Sequence, residues 1–515
     1  MASRIRQLAS ETAVYGVSSI LGRLINFALV PFYTNVLPID HYGVVILVYT
    51  ALVFLQIVFT YGMESAYLRF AAGADGRARV QTTFSSALWS LTGSSIALSA
   101  LLFAFQSQAA WVIGIQESWF DLVYFATAIL ALDTLAVVPM AELRLSNRPW
   151  RFASARILNV AVNVTLNLYL ILGLGMGVRA IFVANLAASA SVLLFLTPEF
   201  VRYLRPRFDS ALCKNMVKFG LPFVPGGLAY ALSERVSLFF LGRMTTDQVL
   251  ALYGNRINAD LISSVSSAAD QAASVYGQYI VSVFGTAYKL AIFMMLVSQM
   301  FRYAWQPFFL NRADDPDARE LFARVFTLFT AGAGLVVLGV SFFAMELVSI
   351  PLPGGRHVIP EAYWLGLQIV PLALIGYVFQ GWYYNFSVGI YLEKQTRYFI
   401  HATVVGGTVS VILTALLVPS MGMMGAALAT TVAFASMAFT LLFFSQRAYS
   451  VPYRWGRVAG IVSAAGVCLG LWFVIDGLQV WWAEMLLILA YLIVLFAGGI
   501  VKLRGLRHIQ IGVIS

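Results

Sequence analysis

Apolar runs of about 18 to 26 residues recur from one end of the chain to the other, each long enough to cross a hydrocarbon core of ~30 Å. Fourteen can be drawn: Thr12–Leu37, Tyr42–Gly62, Thr82–Phe105, Phe120–Met140, Ala153–Leu172, Ala180–Leu196, Met216–Leu241, Tyr279–Phe301, Phe322–Met345, Tyr363–Phe386, Phe399–Val418, Met424–Phe444, Val458–Ile475 and Trp482–Val501. The pattern predicts an all-α integral membrane protein of about 14 transmembrane helices. The first run follows Arg4 and Arg6 but is longer than a signal-peptide core and carries Arg23, so it reads as an uncleaved helix. Composition agrees: 60% of the 515 residues are hydrophobic and 11% are charged, against roughly 25% charged in a soluble domain.

The basic residues orient this map. Arg77, Arg79, Arg144, Arg148, Arg151, the run from Arg202 to Lys218, Arg312, Arg319, Lys394, Arg397 and the basic residues from Arg447 onward fall on one side. The opposite loops carry only Arg179, Arg243, Arg256 and Arg356. Positive-inside orientation then places both termini in the cytoplasm. The net charge of +10 belongs to this asymmetry, so no nucleic-acid partner is expected. Cys213 and Cys468 suggest neither a disulfide framework nor a thiolate metal site.

An internal repeat runs through the map. Arg148-Pro-Trp-Arg151-Phe152 leads into helix 5, and Lys394-Gln-Thr-Arg397-Tyr398 leads into helix 11. The next hairpins read Gly175–Ala184 and Ser420–Ala429, about 245 residues and six helices apart. An even number of helices keeps both copies in one orientation, related by a pseudo-two-fold axis along the membrane normal. The expected division is an N-terminal lobe over 1–209, a second lobe over 210–450, and two extra helices with a cytoplasmic tail over 451–515. The external connection Gly242–Gln278 has Leu261, Ile262, Val265, Ala269, Ala272 and Tyr276 at helical spacing, which fits a surface helix or an outward extension of helix 8.

Ionisable residues inside a bilayer cost at least ~2.5–3.5 kcal/mol each on insertion scales, so each needs a partner or a wet cavity. Arg23 lies mid-helix 1, Asp133 deep in helix 4, Glu234 and Arg235 in helix 7, and Lys289 mid-helix 8. Two readings stand side by side: structural pairing (Arg23 with Asp133, Lys289 with Glu234), or a polar cavity. In the cavity, the cations Arg23, Arg235 and Lys289 hold an anionic substrate, and Asp133 and Glu234 pair with them or bind a coupling ion. Glu64, Arg69 and Arg302 fall at helix ends, where long side chains snorkel, and His401 reads as a boundary residue. Pro222, Pro225, Gly226 and Gly227 at the start of helix 7 favour a kink or hinge, and Pro139 offers another bend beside Asp133. Trp382-Tyr383-Tyr384, Tyr303 and Trp305 are read mostly as interfacial anchors.

Enzyme signatures are missing. There is no P-loop, no GxSxG and no HExxH, and the four histidines are scattered, so neither a catalytic residue, a metal nor a cofactor is expected. Asp317 and Glu320 have the spacing of a capping box before helix 9, which explains the acidic cluster Asp314–Asp317 better than a metal-binding DxD.

Several short motifs resemble the polysaccharide flippases of the multidrug/oligosaccharidyl-lipid/polysaccharide exporter superfamily. They are Pro31–Asn35 with Leu37 and Tyr42-Gly43, the Gly62–Arg69 helix end, Leu221-Pro222 with Pro225, Tyr288-Lys289-Leu290-Ala291, Ala304-Trp305-Gln306-Pro307 and the Pro419–Ala429 hairpin. The resemblance implies a MATE-like fold of two six-helix lobes in a V around a central cavity, with two extra C-terminal helices. It also implies a bacterial inner-membrane flippase moving undecaprenyl-pyrophosphate-linked oligosaccharide to the outer leaflet by alternating access. H+ or Na+ coupling and partnership with polysaccharide polymerase and chain-length proteins would go with it. The long 242–278 connection departs from the family pattern, as does Glu234-Arg235 where relatives often have Asp-Arg. A pyrophosphate is a dense anion whose desolvation Arg23, Arg235 and Lys289 would offset.

Three rivals remain. A drug exporter of the same superfamily would favour an acidic cavity, a lipid II flippase differs only in substrate, and a membrane polymerase or ligase would show a large external catalytic loop and no repeat.

Overall fold

The computed structural model describes residues 24–25, 27–73, 76–257, 272–475 and 478–499. Apart from a small β-hairpin, β1 (Pro351–Leu352) with β2 (Arg356–His357), its regular structure is helical. Among the described residues nine helices are long and apolar enough to cross a membrane, or ten with one bent pair counted as a single span. Phe27–Val36 and Trp481–Ala497 are shorter apolar helices. Each of the fourteen drawn segments falls mainly on helix where its residues are described, with breaks inside several of them. The Leu261–Ala269 part of the proposed surface helix lies outside the described residues.

The chain forms two compact units. One comprises the residues up to Gly285 together with Val411–Ala426, the other Thr286–Ser410 and the chain from Ala427. The first unit begins with α1 (Phe27–Val36), α2 (Ile39–Thr60), α3 (Met63–Ala72) and α4 (Arg77–Ala104). It continues through α5 (Gln106–Ile113), α6 (Asp121–Leu145), α7 (Pro149–Leu168), α8 (Val178–Phe195) and α9 (Thr197–Tyr203). Next come α10 (Ser210–Gly220), α11 (Phe223–Leu241) and α12 (Thr246–Tyr253). The buried side chains Met63, Tyr67, Phe84, Leu91, Val138 and Met216 form one core where α3, α4, α6 and α10 meet.

Two helix breaks touch inside this unit. The second span does not end at Gly62: it turns through left-handed Tyr61 and Gly62 (φ 32° and 73°) and runs on as α3. Helix 7 likewise is not one helix over Met216–Leu241, because α10 and α11 part at Leu221-Pro222. Proline lacks the N–H that would continue the ladder. The breaks face each other at Gly62 and Gly220, and a Cβ on Gly220 would lie 2.7 Å from the Tyr61 carbonyl oxygen. Broken backbone is stable at membrane depth only against protein or water, and here each break covers the other. Pro139, by contrast, sits within an uninterrupted α6.

The repeat is visible in the backbone. Gly177, before α8, has φ 59° and ψ −136°, and Gly422 has φ 54° and ψ −126°. Gly422 divides the helical stretch Arg397–Ala448 into two helices. The surroundings of the two glycines differ. Gly177 has open space on its side-chain side, whereas Tyr253 of α12 closes over Gly422 and its hydroxyl accepts the Met423 N–H at 2.7 Å. Burial raises the pKa of this phenol, which keeps it neutral.

Helix α13 (Ala272–Lys289) belongs to the first unit up to Gly285, and the second unit contains α14 (Ile292–Asn311), α15 (Ala318–Phe342), α16 (Ala344–Val348), α17 (Val370–Phe386), α18 (Val388–Leu392) and the parts of α19 (Arg397–Ala448) outside Val411–Ala426. It closes with α20 (Trp455–Val474) and α21 (Trp481–Ala497). The last two helices pack on α15 through a core of Leu338, Phe342, Ile461, Cys468, Tyr491 and Leu495. Gly334 leaves room for the Tyr491 ring, whose hydroxyl donates to the Ala331 carbonyl at 2.9 Å.

A left-handed non-glycine residue costs about 1–3 kcal/mol. Gly177→Ala and Gly422→Ala both carry that cost, but only the second also collides with Tyr253. Thermal unfolding of the purified protein in detergent should show the larger drop for Gly422→Ala. Equal drops would mean that Tyr253 exerts no clamp.

Candidate functional site

The polar centre of the first unit is built on α2, α6, α7 and α8, which pack against one another. Asp133 projects from α6 toward Ser189 of α8, within the electrostatic reach of Arg156 on α7. Tyr49 of α2 is also near Asp133 and receives a hydrogen bond from the Asn185 amide at 2.9 Å. Its ring stacks on Phe182 with centroids 5.4 Å apart. Arg156 in turn feels Glu64 and Arg144, which form an ion pair of their own. A chain of alternating charges, Asp133, Arg156, Glu64 and Arg144, thus runs along this bundle. Such an arrangement lets each charge offset part of its neighbour's desolvation.

Toward the α9 end the carboxylates are tied down more tightly. Buried Glu142 accepts a 2.5 Å hydrogen bond from the Tyr67 hydroxyl, and Tyr203 reaches the same carboxylate. Burial first, then the Glu142 charge, raises the pKa of Tyr203. Glu199 is 2% exposed and holds the Arg151 guanidinium at 2.7 Å, with Arg148 at 3.9 Å.

The expected site residues are distributed as follows. Arg23 lies outside the described residues. Asp133 has Arg156 as its described cationic neighbour, a residue within the drawn fifth helix that was not among the expected site residues. Glu234 and Arg235 adjoin on α11, 3.8 Å apart. Lys289 is not mid-helix: α13 ends on it, and the chain bends by 48° across Leu290-Ala291 before α14. Leu290 and Ala291 close the break with N–H bonds to the Ala287 and Tyr288 carbonyls, and a lysine at a helix C-terminus complements the dipole. Pro222 stands in the α10–α11 break, while Pro225, Gly226 and Gly227 fall in the opening turns of α11. Gly227 lets Ile57 of α2 approach.

Other residues shift in meaning. Arg302 is stacked on Tyr303 and Tyr384, 5.2 Å from each ring. Trp305 and Trp382 are core residues rather than interfacial anchors. Asp317 stands at the N-cap of α15 but makes no side-chain cap, and Glu320 pairs with Arg324 and Arg454 instead of closing a box. His401 sits exposed in the first turns of α19, against the Arg397 carbonyl.

A family model described as polysaccharide biosynthesis protein matches residues 8–269, just over half of the chain. The chain belongs to this family. No curated protein matches it in sequence. Among solved structures it is similar to the lipid II flippase MurJ in an inward closed conformation, with 14% identity over 95% of this chain and 99% of that one, TM-score 0.71. It is also similar to an inward-facing multidrug resistance MATE family transporter of the MOP superfamily, with 15% identity over 83% and 94%, TM-score 0.59. A Vibrio cholerae MATE transporter follows at 12% identity over 87% and 97%, TM-score 0.56. These likenesses establish the fold: a multi-pass, all-α membrane protein with the architecture of the MurJ and MATE transporters.

Nothing in the sequence pattern singles out Arg156, Glu142 or Tyr67. Arg156 lies close enough to the start of its helix to pass for a boundary charge, and Glu142 sits two residues from Arg144 in what reads as a basic loop. Losing a buried hydrogen-bonded partner costs about 1–3 kcal/mol, whereas an exposed ion pair contributes ~0–1 kcal/mol. Glu142→Ala should therefore destabilise the protein clearly more than Glu64→Ala in thermal unfolding, and the reverse order would contradict this placement.

Proposed function

We propose that the protein is a flippase that carries an undecaprenyl-pyrophosphate-linked oligosaccharide repeat unit from the cytoplasmic to the outer leaflet of a bacterial inner membrane. The observation that carries this reading is membership of the polysaccharide biosynthesis family. A fold shared with a lipid flippase over nearly the whole chain supports it, as does a charged centre within membrane helices. In this reading the lobes are 1–209 and 210–450, with 451–515 as an addition, and both termini are cytoplasmic. Arg23, Arg235 and Lys289 receive the diphosphate, and Asp133 and Glu234 bind a coupling H+ or Na+ or pair with the cations. The segment from Pro222 through Pro225, Gly226 and Gly227 is the hinge of alternating access. The lipid tail stays in the bilayer while the sugar crosses, and a polymerase with its chain-length partner takes the product. Transport rather than catalysis is the protein's task, as for its structural relatives. Lipid II is the second reading, favoured by the extent of the MurJ likeness.

Proteoliposomes holding a labelled lipid-linked oligosaccharide test the reading. Wild type should expose the sugar to an external probe, and Arg23→Ala should fold and insert yet lose most of that activity. Normal flipping by Arg23→Ala would remove the cavity-cation role, and flipping of lipid II alone would select the second reading. Asp133→Asn should alter the dependence on pH or Na+. An unchanged profile in both would return Asp133 to a purely structural pair.

A further inference from the structure

A cleft of about 830 Å³ in the first unit is used by none of these roles. Its walls bring together Arg77 at the start of α4, Arg151 at the start of α7, Leu194 at the end of α8, and Val201, Arg202 and Arg205 on and just after α9. Glu199 neutralises Arg151. Arg77, Arg202 and Arg205 form no salt bridge with any carboxylate among the described residues, so three formal positive charges converge without a counter-ion.

The cleft is held in shape by the chain around it. The Gln81 amide of α4 donates to the Arg202 carbonyl at 2.9 Å, and the Trp89 indole donates to that of Arg205 at 3.3 Å. Ser85 accepts the Arg205 N–H at 2.8 Å, and Ser86 accepts that of Asp209 at 3.0 Å. The Arg205 guanidinium donates to the carbonyls of Val201 and Leu204, which fixes its direction at the end of α9. The segment after α9 is therefore strapped along α4, and its arginines are positioned before any ligand arrives.

The rim is apolar. Leu194 and Val201 are 75% and 71% exposed beside the arginines, and Leu194 belongs to a membrane-spanning helix. An exposed leucine at the end of a span faces acyl chains, while guanidinium groups at the same level face headgroups. A ligand that satisfies both walls carries phosphate and hydrocarbon together. Free phosphate would use only the arginines, and a zwitterionic lipid would bring an ammonium group into an uncompensated cationic field.

We infer that this cleft docks the headgroup of an anionic phospholipid from the surrounding bilayer, with its acyl chains against Leu194 and Val201. The bound lipid braces the connection from α9 to α10 against α4.

The test uses the full-length protein, purified in detergent and equilibrated with phosphatidylglycerol or phosphatidylcholine of matched chains, with retained lipid read by native mass spectrometry. Phosphatidylglycerol should be retained in preference to phosphatidylcholine. The triple change Arg77→Gln, Arg202→Gln, Arg205→Gln should weaken that retention on the order of 100-fold, and the matching Lys triple should keep most of it. Equal retention of both lipids, or undiminished phosphatidylglycerol binding by the Gln triple with wild-type gel-filtration behaviour, would overturn the proposal. So would displacement of the lipid by inorganic phosphate at equal headgroup concentration, which would identify a free-anion site.

Discussion

A membrane interior offers neither water for a broken helix nor counter-ions for a charge, and this constraint organises the structure. Each interruption of a span needs cover from protein, and each charge needs a partner within reach. The first unit meets both needs with small residues and short polar contacts. Gly62 and Gly220 let two broken helices meet backbone to backbone. Asp133, Arg156, Glu64 and Arg144 share their fields along one bundle. At the α9 end, Glu142 and Glu199 are fixed by tyrosine hydroxyls and arginines.

The same economy shapes the repeat. Gly177 and Gly422 adopt nearly one backbone conformation, so the two hairpins are built alike. What surrounds them differs. The connection that follows α11 contributes α12, and Tyr253 at its end seals the second hairpin while the first stays open. The 242–278 connection thus has one structural task in its described part. The two C-terminal helices are attached by an equally local device, the Tyr491 hydroxyl bonded to the α15 backbone across Gly334.

The spans were legible in sequence because length and apolarity are set by bilayer thickness, and the repeat because its glycines need φ angles that other residues resist. Breaks inside spans were harder to place. Pro222 marks one, but nothing in Tyr288–Ala291 distinguishes a helix end from a helix middle, so Lys289 reads as mid-helix from the sequence. Charge pairing was least legible. Which arginine meets Asp133 depends on how α6, α7 and α8 pack, and Arg156 lies 23 residues beyond it in sequence, with no periodic signal joining the two. Trp305 and Trp382 carry the composition of interfacial anchors and the burial of core residues, a distinction that only packing makes.

If Asp133 serves the proposed transport, its position beside Arg156 matters beyond the neutrality of the pair. Exchanging the charges, Asp133→Arg with Arg156→Asp, tests it most directly when stability and flipping of the lipid-linked oligosaccharide are measured on the same preparations. Either single change should lower stability, and the exchange should recover much of the stability but not translocation, because the carboxylate and guanidinium then sit on the wrong helices. Recovery of both stability and flipping by the exchanged pair would contradict it.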